Sequence, residues 1–121
     1  PLLKWRGLIK RRHKFLVRRL FTPPLTVCHG DVHLDNVFFD DDFPGGLKMI
    51  DFGNMFFGQG CNDVAFFLGT NLEPEVRRAH EDALLRKYHA TLLAGGVKDY
   101  SFERCWEDYR FNLWRAYINL A

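Results

Sequence analysis

The chain has 121 residues, of which 47% are hydrophobic and 26% are charged, with a formal net charge of +2. This composition is ordinary for a soluble globular protein and excludes a low-complexity chain. No apolar run approaches the roughly 18 residues of a membrane-spanning helix, and no secretory signal opens the sequence. Three widely spaced cysteines without a Cys-x-x-Cys pair indicate reduced thiols and predict a cytoplasmic protein.

The first segment, residues 1–24, is predicted to be a basic helix followed by a proline linker. Residues 1–20 contain eight basic side chains and no carboxylate, and apolar residues recur at helical spacing through residues 2–20. Pro23 and Pro24 end the helix, because proline cannot continue it. We interpret the basic face as a solvated surface, with attraction to an anionic substrate, nucleotide phosphate or an acidic partner as the alternative.

The second segment, residues 25–62, is predicted to contain a catalytic loop, a small β-hairpin and a metal-binding Asp. Its apolar runs and polar turns predict, in chain order, a short strand, an acidic loop, two hairpin strands and an irregular loop: 25–28, 29–36, 37–39, 47–50 and 54–61. The turn between the hairpin strands contains three consecutive Asp residues. Because these lack the spacing of a Ca²⁺-binding loop, we interpret the turn as a solvated tip.

The third segment, residues 63–121, is predicted to be a helical subdomain. One helix starts near Asp63, and a second covers residues 75–94, with a proline in its first turn and two glycines after its end. A third helix starts at Ser101 as its N-cap and shows a three–four pattern of apolar residues. The predicted fold class is therefore α+β, a mostly helical lobe with a small catalytic hairpin set into it.

Polar residues around the hairpin follow the order of a kinase-type phosphoryl-transfer site. Asp31 is followed five residues later by Asn36, and Asp51 comes directly after the hairpin. In such a site one carboxylate accepts the proton of the attacking hydroxyl, while an Asn and a second Asp hold Mg²⁺ on the nucleotide phosphates. The sequence therefore predicts Asp31 as the base, Asn36 and Asp51 as Mg²⁺ ligands, and ATP as a substrate.

Three motifs in the same order resemble the aminoglycoside phosphotransferase and choline-kinase-like family: HGDxHxxN at residues 29–36, IDF at 50–52 and GxxDVA at 60–65. Residues 100–109 are similar to its ecdysteroid-kinase-like branch. The resemblance runs from about residue 26 to the end and implies a protein-kinase-like fold, of which this chain is the C-lobe. Such a fold also needs an N-lobe with a Gly-rich loop and a phosphate-binding Lys. Neither is in the sequence, so we expect the N-lobe to be absent and the chain alone to be inactive.

The resemblance also implies supporting roles around the catalytic loop. His29 would brace the loop, His33 would lie near Asp31, and Asp63 would accept hydrogen bonds from backbone amides of the loop. A first-turn carboxylate favoured by the helix dipole predicts the same residue type at position 63. Gly30 stands where protein kinases have the Arg of His-Arg-Asp, which argues against regulation through a phosphorylated activation segment.

The sequence predicts the acceptor substrate less specifically than the class of reaction. The resemblance implies that the third helix packs behind or lines the acceptor pocket, so the candidates for that pocket are Asp35, Trp106, Glu107 and Tyr109. An aromatic and acidic lining would suit a cationic amine or choline. Trp106 and Tyr109 also fall on the apolar stripe of the third helix, so core packing is the preferred interpretation for both. Asp35 is either a third acid near the metal or plain surface.

The preferred function is transfer of the γ-phosphoryl group of ATP to a small-molecule alcohol. A non-catalytic nucleotide-binding or scaffold domain is the first alternative, although such a domain would have no use for Asp31. A metal-dependent hydrolase is the second, because alternating His and Asp residues at positions 29–35 could converge on Zn²⁺. A nucleic-acid contact through the basic helix is the third, and the acidic remainder of the chain argues against it.

Overall fold

The computed structural model describes residues 11, 12 and 14–119, with side chains up to residue 114. The predicted helix over residues 2–20 therefore lies partly outside the described residues. Within them, residues 11, 12 and 14–20 are helical and form the described part of α1. The end of α1 is closed by Thr22, whose hydroxyl donates to the carbonyl of Arg18 at 3.0 Å.

Four short strands form two separate antiparallel pairs, namely β1 (Thr26–Cys28) with β4 (Phe56–Gly58) and β2 (Val37–Phe39) with β3 (Leu47–Met49). The predicted hairpin of β2 and β3 is confirmed, with Val37 opposite Met49. The prediction of an irregular loop over residues 54–61 is wrong in part, because this segment contains β4. β4 has only three residues, and its partner β1 lies about thirty positions earlier in the sequence. No local sequence pattern therefore predicts this strand.

Three longer helices follow, α2 (Cys61–Asn71), α3 (Pro74–Ala94) and α4 (Phe102–Asn119). Pro74 occupies the first turn of α3, where its missing N–H costs nothing. Ser101 caps α4, since its hydroxyl oxygen accepts a hydrogen bond from the backbone amide of Arg104 at 3.2 Å. With four helices and two small sheets among its described residues, the chain is an α+β protein. No helix in the described part of the chain is long and apolar enough to cross a membrane.

The hydrophobic core lies between α2, α3 and α4, where seven residues are buried: Cys61, Ala65, Leu68, Leu85, Tyr100, Cys105 and Tyr109. α2 and α4 approach closely at Gly69, where a Cβ atom would lie 2.8 Å from Cδ1 of Leu113. The thiols of Cys61 and Cys105 lie 3.9 Å apart in this core. Hydrogen bonding to Cys105, together with burial, raises the pKa of Cys61, so its thiol stays neutral.

Buried polar residues interrupt the apolar face of α4. Asp108 is only 1% exposed and accepts hydrogen bonds from the Tyr100 hydroxyl and from Nε of Arg104, both at 3.0 Å. It also pairs with Arg19 of α1. One turn further on, Asn112 donates to Oε1 of the buried Gln59 at 3.0 Å. The apolar stripe predicted for this helix therefore also carries a polar network that joins α1 to α4.

Candidate active site

The catalytic loop follows β1 and is held by the first turn of α2. Asp63 accepts hydrogen bonds from the backbone amides of His29, at 2.6 Å, and Gly30, at 3.0 Å. Hydrogen bonds to an ionised carboxylate are stronger than neutral ones. Asp63 therefore fixes two consecutive peptide groups of the loop against α2.

The other end of α2 holds the same loop through Asn71. Its side-chain amide donates to the carbonyl of Val32 at 3.0 Å, and its oxygen accepts from the amide of Leu34 at 3.0 Å. The sequence alone does not single out Asn71, because an Asn at a helix end is common and its partners lie nearly forty positions earlier. Together with Asp63, it fastens the loop to α2 at both ends of the helix.

Asp31 is held through both oxygens of its carboxylate. Oδ1 lies 2.7 Å from Nε2 of His33, and Oδ2 accepts a hydrogen bond from Nδ2 of Asn54 at 3.2 Å. The His33 ring packs edge-on against Phe66, with centroids 4.9 Å apart. About a quarter of the Asp31 side chain, 25%, stays exposed. Asp31 is thus oriented and still accessible to a substrate.

His29 joins the catalytic loop to the segment that carries Asp51. Its Nε2 lies 2.9 Å from the carbonyl oxygen of Ile50, and its Nδ1 accepts from the backbone amide of Asp31 at 3.3 Å. A carbonyl can only accept and an amide can only donate, so the buried ring is neutral and carries its proton on Nε2. The ring also packs against Phe52, with centroids 4.8 Å apart.

The hairpin brings Asn36 and Asp51 to the same end of its two strands. The backbone amide of Ile50 donates to the carbonyl of Asn36 at 3.0 Å, which continues the register of β2 and β3. The side-chain nitrogen of Asn36 donates to the carbonyl of Asp31 at 2.9 Å. This leaves the side-chain oxygen of Asn36 as the group that a cation can use.

Asp51 has an unusual backbone conformation. Its φ is 60°, in the left-handed region that residues other than glycine adopt rarely and that recurs at functional sites. Its exposed carboxylate accepts a long hydrogen bond, 3.4 Å, from the amide of Gly53. Since Mg²⁺ prefers hard oxygen ligands and takes few of them from the protein, the oxygens of Asn36 and Asp51 fit this ion.

The alternating His and Asp residues do not converge as a zinc site would require. His29 uses Nε2 for the carbonyl of Ile50, and His33 uses Nε2 for Asp31. Among the residues that the structure describes, no group of three or more His, Cys, Asp and Glu side chains is arranged to hold a metal ion.

The four candidate acceptor residues lie in different surroundings. Asp35 is exposed in the short 3₁₀ helix Leu34–Asn36 that precedes β2. Trp106 packs against the core, and the buried Tyr109 donates from its hydroxyl to Glu81 at 2.9 Å. Glu107 is exposed on α4. The structure brings Asn36 into contact with Asp31 and places Asp51 directly after Ile50, which pairs with Asn36. It gives Trp106 and Tyr109 packing roles in the helical core.

An apolar cavity of about 460 Å³ lies beside the catalytic loop. His29 and Asp63 contribute polar groups to its lining, and the wall includes Phe52, Met55 and Val27. These three apolar side chains are at least half exposed. The site therefore borders a surface that is apolar and open.

A loop that places an Asp beside an Asn and a second Asp in this order is the arrangement of a kinase-like protein. In a comparison with protein families, residues 9–99 match the ecdysteroid kinase-like family, and the chain belongs to that family. Membership indicates a kinase-like phosphotransferase that acts on a small molecule. No curated protein and no solved structure matches the chain.

Proposed function

We propose that the protein transfers the γ-phosphoryl group of ATP to a hydroxyl group of a small molecule. The observation that supports this proposal is that Asn36 donates to the backbone of Asp31 and pairs with Ile50, the residue before Asp51. Family membership supports the same reaction class. A protein-kinase-like fold, shared with aminoglycoside phosphotransferases and choline kinases, is part of the proposal.

Asp31 is the proton acceptor in this proposal. His33 and Asn54 fix its carboxylate, which accepts the proton of the acceptor hydroxyl. As that hydroxyl oxygen bonds to the γ-phosphorus, the bond between phosphorus and the β,γ-bridging oxygen breaks and ADP leaves. Such a base contributes roughly 10²- to 10⁴-fold to a reaction rate. Asp63 and Asn71 keep the loop in place while the substrates bind.

Asn36 and Asp51 would hold Mg²⁺. When bound, this ion neutralises charge on the phosphates and orients them. Asn36 contributes a neutral oxygen and also ties its own side chain to the backbone of Asp31. The same residue thus belongs to the metal site and to the loop that carries the base.

An N-terminal lobe, with a Gly-rich loop and a phosphate-binding Lys, completes the cleft in this proposal. The open apolar surface around Val27, Phe52 and Met55 is where that lobe and the adenine ring would pack. Burying such a surface removes apolar area from water, which favours the contact. We expect the acceptor to be a small-molecule alcohol and the nucleotide to be ATP.

The test is Mg²⁺-dependent phosphorylation of a panel of alcohols and amino-alcohols by the full-length protein that carries this chain. We expect Asp31→Asn to lower kcat by about 100-fold or more. Asp51→Asn should do the same and should raise the Mg²⁺ concentration needed for half-maximal activity. Asp41→Asn, at the exposed hairpin tip, is the matched control and should match wild type. Binding of ATP without transfer to any acceptor, with all three variants alike, would contradict the proposal.

A further inference from the structure

Asn54 reaches the proposed base from a separate segment of the chain. It ends the 3₁₀ helix Phe52–Asn54, which starts directly after Asp51. Its side-chain nitrogen donates to Oδ2 of Asp31 at 3.2 Å. The residue thus connects the turn beside one proposed metal ligand to the carboxylate that accepts the proton.

The backbone of Asn54 also contacts the catalytic loop. A Cβ atom built on Gly30 would overlap the carbonyl oxygen of Asn54 and would lie 3.3 Å from the ring of Phe56. Gly30 also has a φ of +84°, which disfavours any other residue. Only glycine at position 30 lets the turn of Asn54 approach this closely, so this contact explains the glycine in the motif.

The two hydrogen bonds of Asp31 fix different oxygens of its carboxylate. His33 lies against Oδ1, on the same loop as Asp31, and fixes one oxygen of the carboxylate. Asn54 fixes the other oxygen from a separate segment. Without Asn54 the carboxylate can turn about the bond to its Cβ atom, and Oδ2 no longer has a defined direction.

We propose that Asn54 is a positioning residue that orients the Asp31 carboxylate and links it to the turn that follows Asp51. The catalytic consequence rests on the proposed function, whereas the hydrogen bond itself does not. Asn54 has no contact with substrate in this role and acts through Asp31 alone.

The kinetic test compares two substitutions in the full-length protein. Asn54→Ala removes the donor and should lower kcat by about 10- to 100-fold, with KM for ATP within about twofold of wild type. Asn54→Asp keeps the size and places a carboxylate against Asp31, so it should lower kcat further. If Asn54 only filled space, the isosteric Asp would be the milder change, and that order would overturn the proposal.

A second pair of variants disturbs the same contact from the loop. Gly30→Ala pushes the carbonyl of Asn54 away and should lower kcat as Asn54→Ala does. Gly45→Ala is the matched control, because Gly45 has the same φ of +84° but a Cβ atom added there would meet no described atom within 4 Å. Equal activity of the two glycine variants would show that close approach of Asn54 does not matter.

A spectroscopic readout separates this inference from the proposed function. With ¹⁵N-labelled asparagine, Asp31→Ala should shift the side-chain amide signal of Asn54, whereas Asp35→Ala should leave it unchanged. If the wild-type protein has no transferase activity but shows this pattern of shifts, the proposed function is wrong and the contact between Asn54 and Asp31 is confirmed. An active wild type with an unshifted Asn54 signal, and full activity in Asn54→Ala, would overturn the inference alone.

Discussion

Single carboxylates with several hydrogen-bond donors organise the candidate site at the scale of the residue. Asp63 accepts hydrogen bonds from two adjacent backbone amides of the loop. Each carboxylate oxygen of Asp31 contacts one side chain, His33 at Oδ1 and Asn54 at Oδ2. Asp63 also lies in the first turn of α2, where the helix dipole favours a negative charge. One residue therefore serves the helix and the loop at once.

Replacing Asp63 tests this double role. Asp63→Asn keeps the shape but weakens both amide contacts and the interaction with the helix dipole, so we expect a loss of about 1–3 kcal/mol in the free energy of unfolding. Urea unfolding of the protein measures it. Asp35→Asn, on the exposed 3₁₀ helix, should unfold like wild type. Equal midpoints for both variants would contradict a bracing role for Asp63.

At this scale the sequence indicates the residues whose order carries meaning and misses those that act across the fold. Asp31, Asn36 and Asp51 are recognisable because their order matches a known chemistry. Asn54 and Asn71 are not, because an Asn in a turn or at a helix end is commonplace. Their partners are distant in sequence, so the contacts exist only once the chain has folded.

At the scale of the element, α2 links the hydrophobic core to the candidate site. One face packs on α4 at Gly69, where Leu113 leaves no room for a side chain. The ends of α2 carry Asp63 and Asn71, which hold the catalytic loop. A displacement of α2 relative to α4 would therefore move the loop.

Filling the space at Gly69 tests the coupling. Gly69→Val places a branched side chain where a Cβ atom already meets Leu113 at 2.8 Å, so we expect a loss of about 1–3 kcal/mol in the free energy of unfolding and lower transferase activity. Gly95→Val is the control, since a Cβ there meets no described atom closer than 3.4 Å. Chemical denaturation measures the stability of both variants, and initial rates measure their transferase activity. If Gly69→Val is as stable and active as its control, the packing of α2 against α4 does not affect the catalytic loop.

The starts of the helices could be predicted better than the pairing of β1 with β4. Pro74 and Ser101 are local signals that mark the starts of α3 and α4, and both starts agree with the structure. β4 has no such signal, because its pairing with β1 depends on a long-range contact. The apolar spacing of α4 likewise does not reveal that Asp108 is buried, since its ionic partner Arg19 belongs to α1.

At the scale of the whole molecule, the described residues form an enclosed polar network and also an open apolar surface. Asp108 joins α4 to α1 through Arg19 and has Arg104 as a further ionic partner. Around the hairpin and β4, by contrast, large apolar side chains are exposed, among them Phe39 at 75%. The network holds the described part of α1 on the helices, whereas the apolar side chains around the hairpin and β4 remain exposed.

Removing the charge at Asp108 tests the network. Asp108→Asn leaves the guanidinium groups of Arg19 and Arg104 without their buried counter-charge, so we expect a loss of about 3–5 kcal/mol in the free energy of unfolding. Asp82→Asn is the control, because Asp82 pairs with Arg86 at the exposed surface of α3, where such pairs contribute little. Thermal unfolding of the two variants measures the difference. Similar midpoints would contradict a structural role for Asp108.

All three cysteines, Cys28, Cys61 and Cys105, are enclosed by the fold, which makes the folded chain slow to react with thiol reagents. A cysteine introduced at the exposed hairpin tip, as in Asp41→Cys, can therefore carry a fluorescent dye while the native thiols stay in place. Dye attached there sits at the far end of the hairpin from Asn36. Its emission would report on tilting of the hairpin as nucleotide is added, in real time and without any assay for product.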